Sequence, residues 1–156
     1  MTEQEQQGAN KRITIGKIYA KDISFESPQS PSIFKQGEWK PQTNLNLRSS
    51  TNALEDDQHE VILTLTVDAK DGDKTLFLIE LQQAGIFEIV GYDEEEFKAV
   101  VGSFCPNILF PYAREAIANV IQKGGFPEFL LQPINFDALY MQSRQQSGEA
   151  ISTEAH

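Results

Sequence analysis

Residues 60–83 leave this chain little freedom of fold. Val61, Leu63, Leu65 and Val67 fall on one side of a strand with period two. Asp71-Gly72 follows, a pair suited to the positive φ of a tight hairpin. A second apolar run, Lys74 to Gln83, then returns beside the first. Leu76 and Leu78 point one way along it, and Phe77, Ile79 and Leu81 the other. An antiparallel sheet with one wet face alternates cleanly, so an apolar pattern on both sides predicts helices on one face. On the other it predicts a second subunit, or else an apolar strand left exposed.

Further strands are expected at about Ile13 to Phe25 and Thr43 to Leu47. The first has its apolar residues out of phase around Gly16-Lys17, which a bulge near Gly16 explains. Between them runs a long loop, 27–38, carrying Ile33 and Phe34, with Trp39 just beyond. A loop this long in a compact domain carries function or is disordered; its apolar residues predict that it packs as a crossover.

The C-terminal half reads as helical. Asp93-Glu94-Glu95-Glu96 puts acid where a helix start favours it, and that helix is expected to stop between Gly102 and Pro106. Pro106 and Pro111 each lack a backbone donor, so the Ile108-Leu109-Phe110 block is expected at a helix entrance. A longer helix is predicted from about Pro111, with Leu109, Ala113, Ile117, Val120 and Ile121 on one face and Gly124-Gly125 at its end. Asn135 reads as the N-cap of a last helix carrying Phe136, Leu139 and Tyr140, with Asp137 in its first turn and a polar end. Residues 1–11 and 147–156 are poor in large apolar side chains and are expected to be mobile tails around one domain, 12–146.

Charge and cysteine content narrow the partners. The formal charge is −10 over 156 residues, which disfavours a nucleic-acid partner. It either attracts basic partners or serves only solubility. Cys105 is the single cysteine, so no intrachain disulfide forms, which fits a reducing compartment. The start, Met1 to Gln7, is polar and acidic, the opposite of a signal peptide, and no apolar run approaches the roughly 18 residues of a membrane span. A soluble, cytoplasmic protein without membrane insertion is expected.

Catalysis is hard to assemble. There is no Walker loop and no Gly-x-Gly-x-x-Gly. His59 sits in an acidic turn and His156 is the last residue. A Cys105–His59 dyad competes with the reading of Cys105 as a small buried hydrophobe, and one Cys with one ordered His cannot make a structural zinc site. No enzyme activity, metal or cofactor is expected.

Binding features are clearer. Of ten phenylalanines, Phe34, Phe104, Phe110, Phe126, Phe129 and Phe136 stand at loops or helix ends. They either line a groove or simply pack loops onto helices. Asp22, Ser24 and Glu26 share one face of the first strand. If it pairs with the fourth, Leu78 and Glu80 complete an acidic patch with an apolar centre. Such a patch docks a basic partner, or is a plain solvated face.

Four blocks in collinear order resemble the SecB family of bacterial protein-export chaperones. They are Tyr19-Ala20-Lys21-Asp22-Ile23-Ser24-Phe25-Glu26, Glu80-Leu81-Gln82-Gln83-Ala84-Gly85-Ile86-Phe87, Cys105 to Glu115, and Pro133-Ile134-Asn135-Phe136-Asp137-Ala138-Leu139-Tyr140. The resemblance spans about residues 12–146. It implies an α+β fold: a four-stranded antiparallel sheet with a crossover loop, packed by C-terminal helices. It implies a homotetramer, a dimer of dimers, that binds unfolded precursor proteins without ATP, keeps them translocation-competent and delivers them to the SecA motor. By the same resemblance Asp22, Glu26, Leu78 and Glu80 are SecA-docking positions. Phe34, Trp39, Phe110, Tyr112, Phe136, Leu139 and Tyr140 are expected to line the client groove, and the polar C-terminus is expected to be a weaker SecA contact. The crossover loop carries one residue more around Gly37 than the family pattern. Two alternatives stand beside this: a SecB-like chaperone dedicated to another client such as an antitoxin, and a small apolar-ligand binder.

Overall fold

The computed structural model describes residues 10–38 and 40–154, with the backbone alone for 146–154. Four strands, β1 (Arg12–Glu26), β2 (Gln42–Ala53), β3 (Gln58–Asp71) and β4 (Lys74–Val90), form one antiparallel sheet in the order β1-β4-β3-β2. Gly72 turns the β3–β4 hairpin at φ 62°. The crossover loop carries the chain from one edge of the sheet to the other. β2 and β4 run past their expected ends at Leu47 and Gln83. The far part of β2 is polar, and Ala84-Gly85 breaks the apolar run of β4 before Phe87 and Ile89 resume the alternation.

Bulges decide which side chains face the core. β1 slips register at Gly16, as its phase predicts, and again at Lys21. The two slips together keep Ile13, Ile15, Ile18, Ile23 and Phe25 on the helix-covered face, opposite Ile89, Phe87, Gly85, Leu81 and Ile79. A third irregularity pairs Ala69 with Phe77 but Lys70 with Thr75, leaving Leu76 unpaired. Leu76 is thereby turned inward and buried beside Phe77 rather than sharing the outer face with Leu78. The second apolar face expected of β4 is thus reduced. The exposed apolar residues of the sheet, Ile15, Ile23 and Leu45, lie on the helix side instead.

The helices do not break where expected. Asp93 caps α1 (Glu94–Ala99): its side chain accepts from the Glu96 N–H at 2.8 Å, and Glu96 Oε1 accepts in return from the Asp93 N–H at 3.3 Å. The chain then passes through a π-helical turn, Val100–Phe104, straight into α2 (Cys105–Lys123). Pro106 has no N–H to give the carbonyl four residues back, and its ring would crowd that carbonyl; the wider turn, with the Cys105 N–H donating to Val100 O, absorbs both problems. Pro111 lies inside α2 and leaves the Asn107 carbonyl without a helical donor, on an exposed side of the helix. The Ile108-Leu109-Phe110 block therefore lies within a continuous helix and not at an entrance; Leu109 faces the core with Ala113 and Ile117, as its apolar face predicts, and Phe110 is buried too. The last helix, α3 (Phe136–Glu154), extends beyond the expected end near 146, through Ser147-Gly148 and on to Glu154. The expected mobility of 1–9 and of 155–156 falls outside the described residues.

The core is the layer between sheet and α2. Val61, Leu65, Ile79, Leu81 and Phe87 meet Leu109, Ala113, Ile117 and Ile121, all buried. Gly85 lets α2 approach β4, because a Cβ there would lie 2.8 Å from Phe87 Cε2 and 3.1 Å from Leu109 Cδ2. Gly85→Val should cost about 1–3 kcal/mol through overpacking. Urea unfolding checks this, and an unchanged midpoint would contradict the close approach.

Candidate functional site

The crossover loop and the end of α2 build an apolar groove. A 3₁₀ turn, Ser32–Lys35, drives Ile33 into the core and leaves Phe34 partly exposed at the rim. On the other side α2 ends in a Schellman turn: the Phe126 N–H donates to Ile121 O at 3.2 Å and the Gly125 N–H to Gln122 O at 3.0 Å. Gly125 takes φ 87°, and the Phe34 ring lies 3.0 Å from where its Cβ would be. The turn delivers Phe126 into an aromatic cluster, 5.1 Å from Phe77, 5.6 Å from Phe34 and 6.5 Å from Phe25 between centroids. Beside the cluster opens a cavity of about 400 Å³ lined by Gly37, Pro41, Leu76, Phe77, Phe126 and Phe129.

A second cavity, about 570 Å³, lies under α3 and is lined by Leu47, Leu63, Gly102, Phe136, Leu139 and Tyr140 among others. The root of α3 is fixed by several contacts. Asn135 Oδ1 accepts from the Ala138 N–H at 3.0 Å, as its N-cap reading predicts, and the Ser103 hydroxyl donates to Asp137. The Tyr140 ring lies on Gly102 of the π turn, where a Cβ would come within 2.6 Å.

The expected groove residues therefore separate. Phe34 borders the crossover groove, while Phe136, Leu139 and Tyr140 line the cavity under α3. Phe110 is only 5% exposed and packs on Phe136 at 5.6 Å, a core contact that follows from α2 continuing through Pro111. Tyr112 is 50% exposed on α2 and borders neither cavity. Trp39 lies outside the described residues. Leu76 and Phe77 were missing from the sequence-based groove because alternation assigned them as ordinary strand residues. Only the β4 bulge turns both to one side.

The helix-free face of the sheet is a different surface. Three rows cross all four strands: Asp22-Gln82-Thr64-Arg48, Ser24-Glu80-Thr66-Asn46 and Glu26-Leu78-Asp68-Asn44. The expected set Asp22, Glu26, Leu78 and Glu80 is brought together here, and Asp68 joins it beside Leu78. Among the described ion pairs none engages these four carboxylates. The only cation in those rows, Arg48, stands on the far edge.

Further along the same face, Glu60 accepts hydrogen bonds from the Tyr19 hydroxyl, from Lys21 Nζ at 2.9 and 3.1 Å, and from Asn52 Nδ2 at 3.3 Å. The Tyr19 and Lys21 donors hold its carboxyl below the usual range, against the opposing effect of burial. Burial and the Glu60 carboxylate push Tyr19 up to about 12. Cys105 is fully buried, and burial pushes its thiol up to about 12, so it is a packed hydrophobe and a poor nucleophile. His59 packs its ring on Phe97 at 4.7 Å.

The family model for the preprotein translocase subunit SecB matches residues 5–147. The chain belongs to the SecB family of protein-export chaperones. The protein-export protein SecB of Nitrosococcus oceani is 53% identical over 150 residues, covering 96% of this chain and 92% of its own. That of Ectopseudomonas mendocina is 48% identical over 162 residues, covering 100% of both chains. Among solved structures, a Mycobacterium tuberculosis SecB-like chaperone in complex with a ChAD peptide from an antitoxin aligns with a TM-score of 0.67 at 16% identity, covering 83% of this chain and 95% of that one. At that identity the likeness shows the fold, and it is the α+β architecture read from the sequence. No helix among the described residues is long and apolar enough to cross a membrane.

Proposed function

We infer that this chain is a cytoplasmic chaperone that binds unfolded precursor proteins without ATP, keeps them translocation-competent and delivers them to SecA. One observation carries the reading: the apolar cavities and the acidic rows occupy opposite faces of one sheet. An unfolded client and a basic partner then engage separate surfaces. Client affinity comes from apolar burial, about 25 cal/mol per Å², added over several grooves of one assembly. A folded protein hides those segments, so selection needs no sequence readout. The partner docks on Leu78 within the ring of Asp22, Glu26, Asp68 and Glu80, with fast, salt-sensitive association.

The assembly is a homotetramer, a dimer of dimers. Its support is β1, an edge strand of 15 residues with Ile15 45% and Ile23 43% exposed, which calls for cover by another copy. A dedicated antitoxin client is the second reading; the mycobacterial relative's peptide is its only support, against export proteins at about half identity. The apolar-ligand reading is weaker, since the cavities open beside exposed Phe34 and Leu139.

Glu80→Lys tests the two-surface arrangement. SecA affinity should fall at least about tenfold while affinity for an unfolded peptide stays within about twofold. Equal loss of both in titrations would contradict it.

A further inference from the structure

We propose that Glu60 is a positioning residue for the acidic face: by holding Lys21 it keeps a cation off the carboxylates that dock the basic partner. This rests on the reading of that face as the SecA surface. Lys21 is the extra residue of the second β1 bulge, between the pairs Ala20–Gln83 and Asp22–Gln82. Its ammonium bonds Glu60, whose neighbour across β3 and β4 is Ile86 on the helix-free face, so Lys21 and Asp22 emerge on the same face. A lysine there has Asp22 beside it and Glu80 on the diagonal, within reach of a long side chain. Yet Lys21 Nζ lies 2.9 and 3.1 Å from the two Glu60 oxygens, in a row beyond Tyr19, Ala84 and Ile62. The Tyr19 hydroxyl and Asn52 Nδ2 close on the same carboxylate and fix it as the acceptor. With Lys21 engaged, the acidic rows keep their charge at the end of the sheet where Leu78 sits.

Four variants test this by titration with purified SecA at low ionic strength, where exposed charge effects are largest. Glu60→Gln frees Lys21 and should weaken SecA about three- to fivefold, the scale of an exposed charge pair. Glu60→Gln with Lys21→Met should return to within about twofold of the parent. Glu60→Gln with Lys17→Met has the same net charge, but Lys17 stands in the Glu60 row, away from Asp22, so this pair should stay weak. Recovery by Lys17→Met equal to that by Lys21→Met would reduce the effect to net charge and overturn the proposal. Lys21→Met alone serves if Glu60→Gln does not fold: affinity within about twofold of the parent supports a sequestered lysine, and a several-fold gain shows Lys21 already at the acids and overturns it. Parent-like affinity of Glu60→Gln beside a weakened Glu80→Lys would sink this proposal and leave the SecA reading standing. Unaltered binding by Glu80→Lys would sink that reading itself.

Discussion

Leu109→Ala should lower the unfolding free energy by about 2–5 kcal/mol. Leu109 is fully buried, and its Cδ2 would lie 3.1 Å from a Cβ on Gly85. Gly85 has no side chain to move into the space left by a shortened Leu109, and the Phe87 ring beside it is itself fully buried. A helix that began only at Pro111 would leave Leu109 in a loosely held entrance, and its truncation would cost much less. Urea denaturation followed by circular dichroism separates the two: a loss under about 1 kcal/mol would contradict the continuous helix.

Phe126→Ala should weaken binding of an unfolded peptide by about tenfold or more, the scale of an aromatic anchor in a groove. Phe126 is 5% exposed, lines the crossover groove with Phe77, and packs against the Phe25 and Phe34 rings. Its loss removes the wall as well as one contact. SecA affinity should stay within about twofold, because the acidic rows lie on the other face of the sheet. Competition titration with a fluorescent unfolded peptide measures the first effect, at a temperature where circular dichroism shows the variant folded. Unchanged peptide affinity would remove the crossover groove from the client surface.

Much of this was legible in the residues. Alternation in β3, Asp71-Gly72 and the phase slip at Gly16 give the central hairpin and the first bulge, because each is a local effect of backbone geometry. The acidic set was legible once β1 was placed beside β4, since Ser24 pairs with Glu80 and Glu26 with Leu78. What was not legible depends on partners distant in sequence. Pro106 reads as a helix break, but the π turn before it costs less than abandoning the packing of Leu109 and Ala113 on the sheet. Leu76 reads as an outward residue until the β3–β4 bulge is known. The groove was assigned to one set of aromatics, whereas packing sends Phe110 to the core and Phe136, Leu139 and Tyr140 to a second cavity. The Glu60 network escaped notice because Tyr19, Lys21 and Asn52 come from strands that no local pattern links to it.

Light scattering of the purified protein, alone and with a chemically unfolded precursor polypeptide in the absence of nucleotide, decides whether the chain assembles and holds unfolded clients. A mass near four chains that rises by one client is expected. A monomer whose mass ignores the unfolded chain would contradict the chaperone reading.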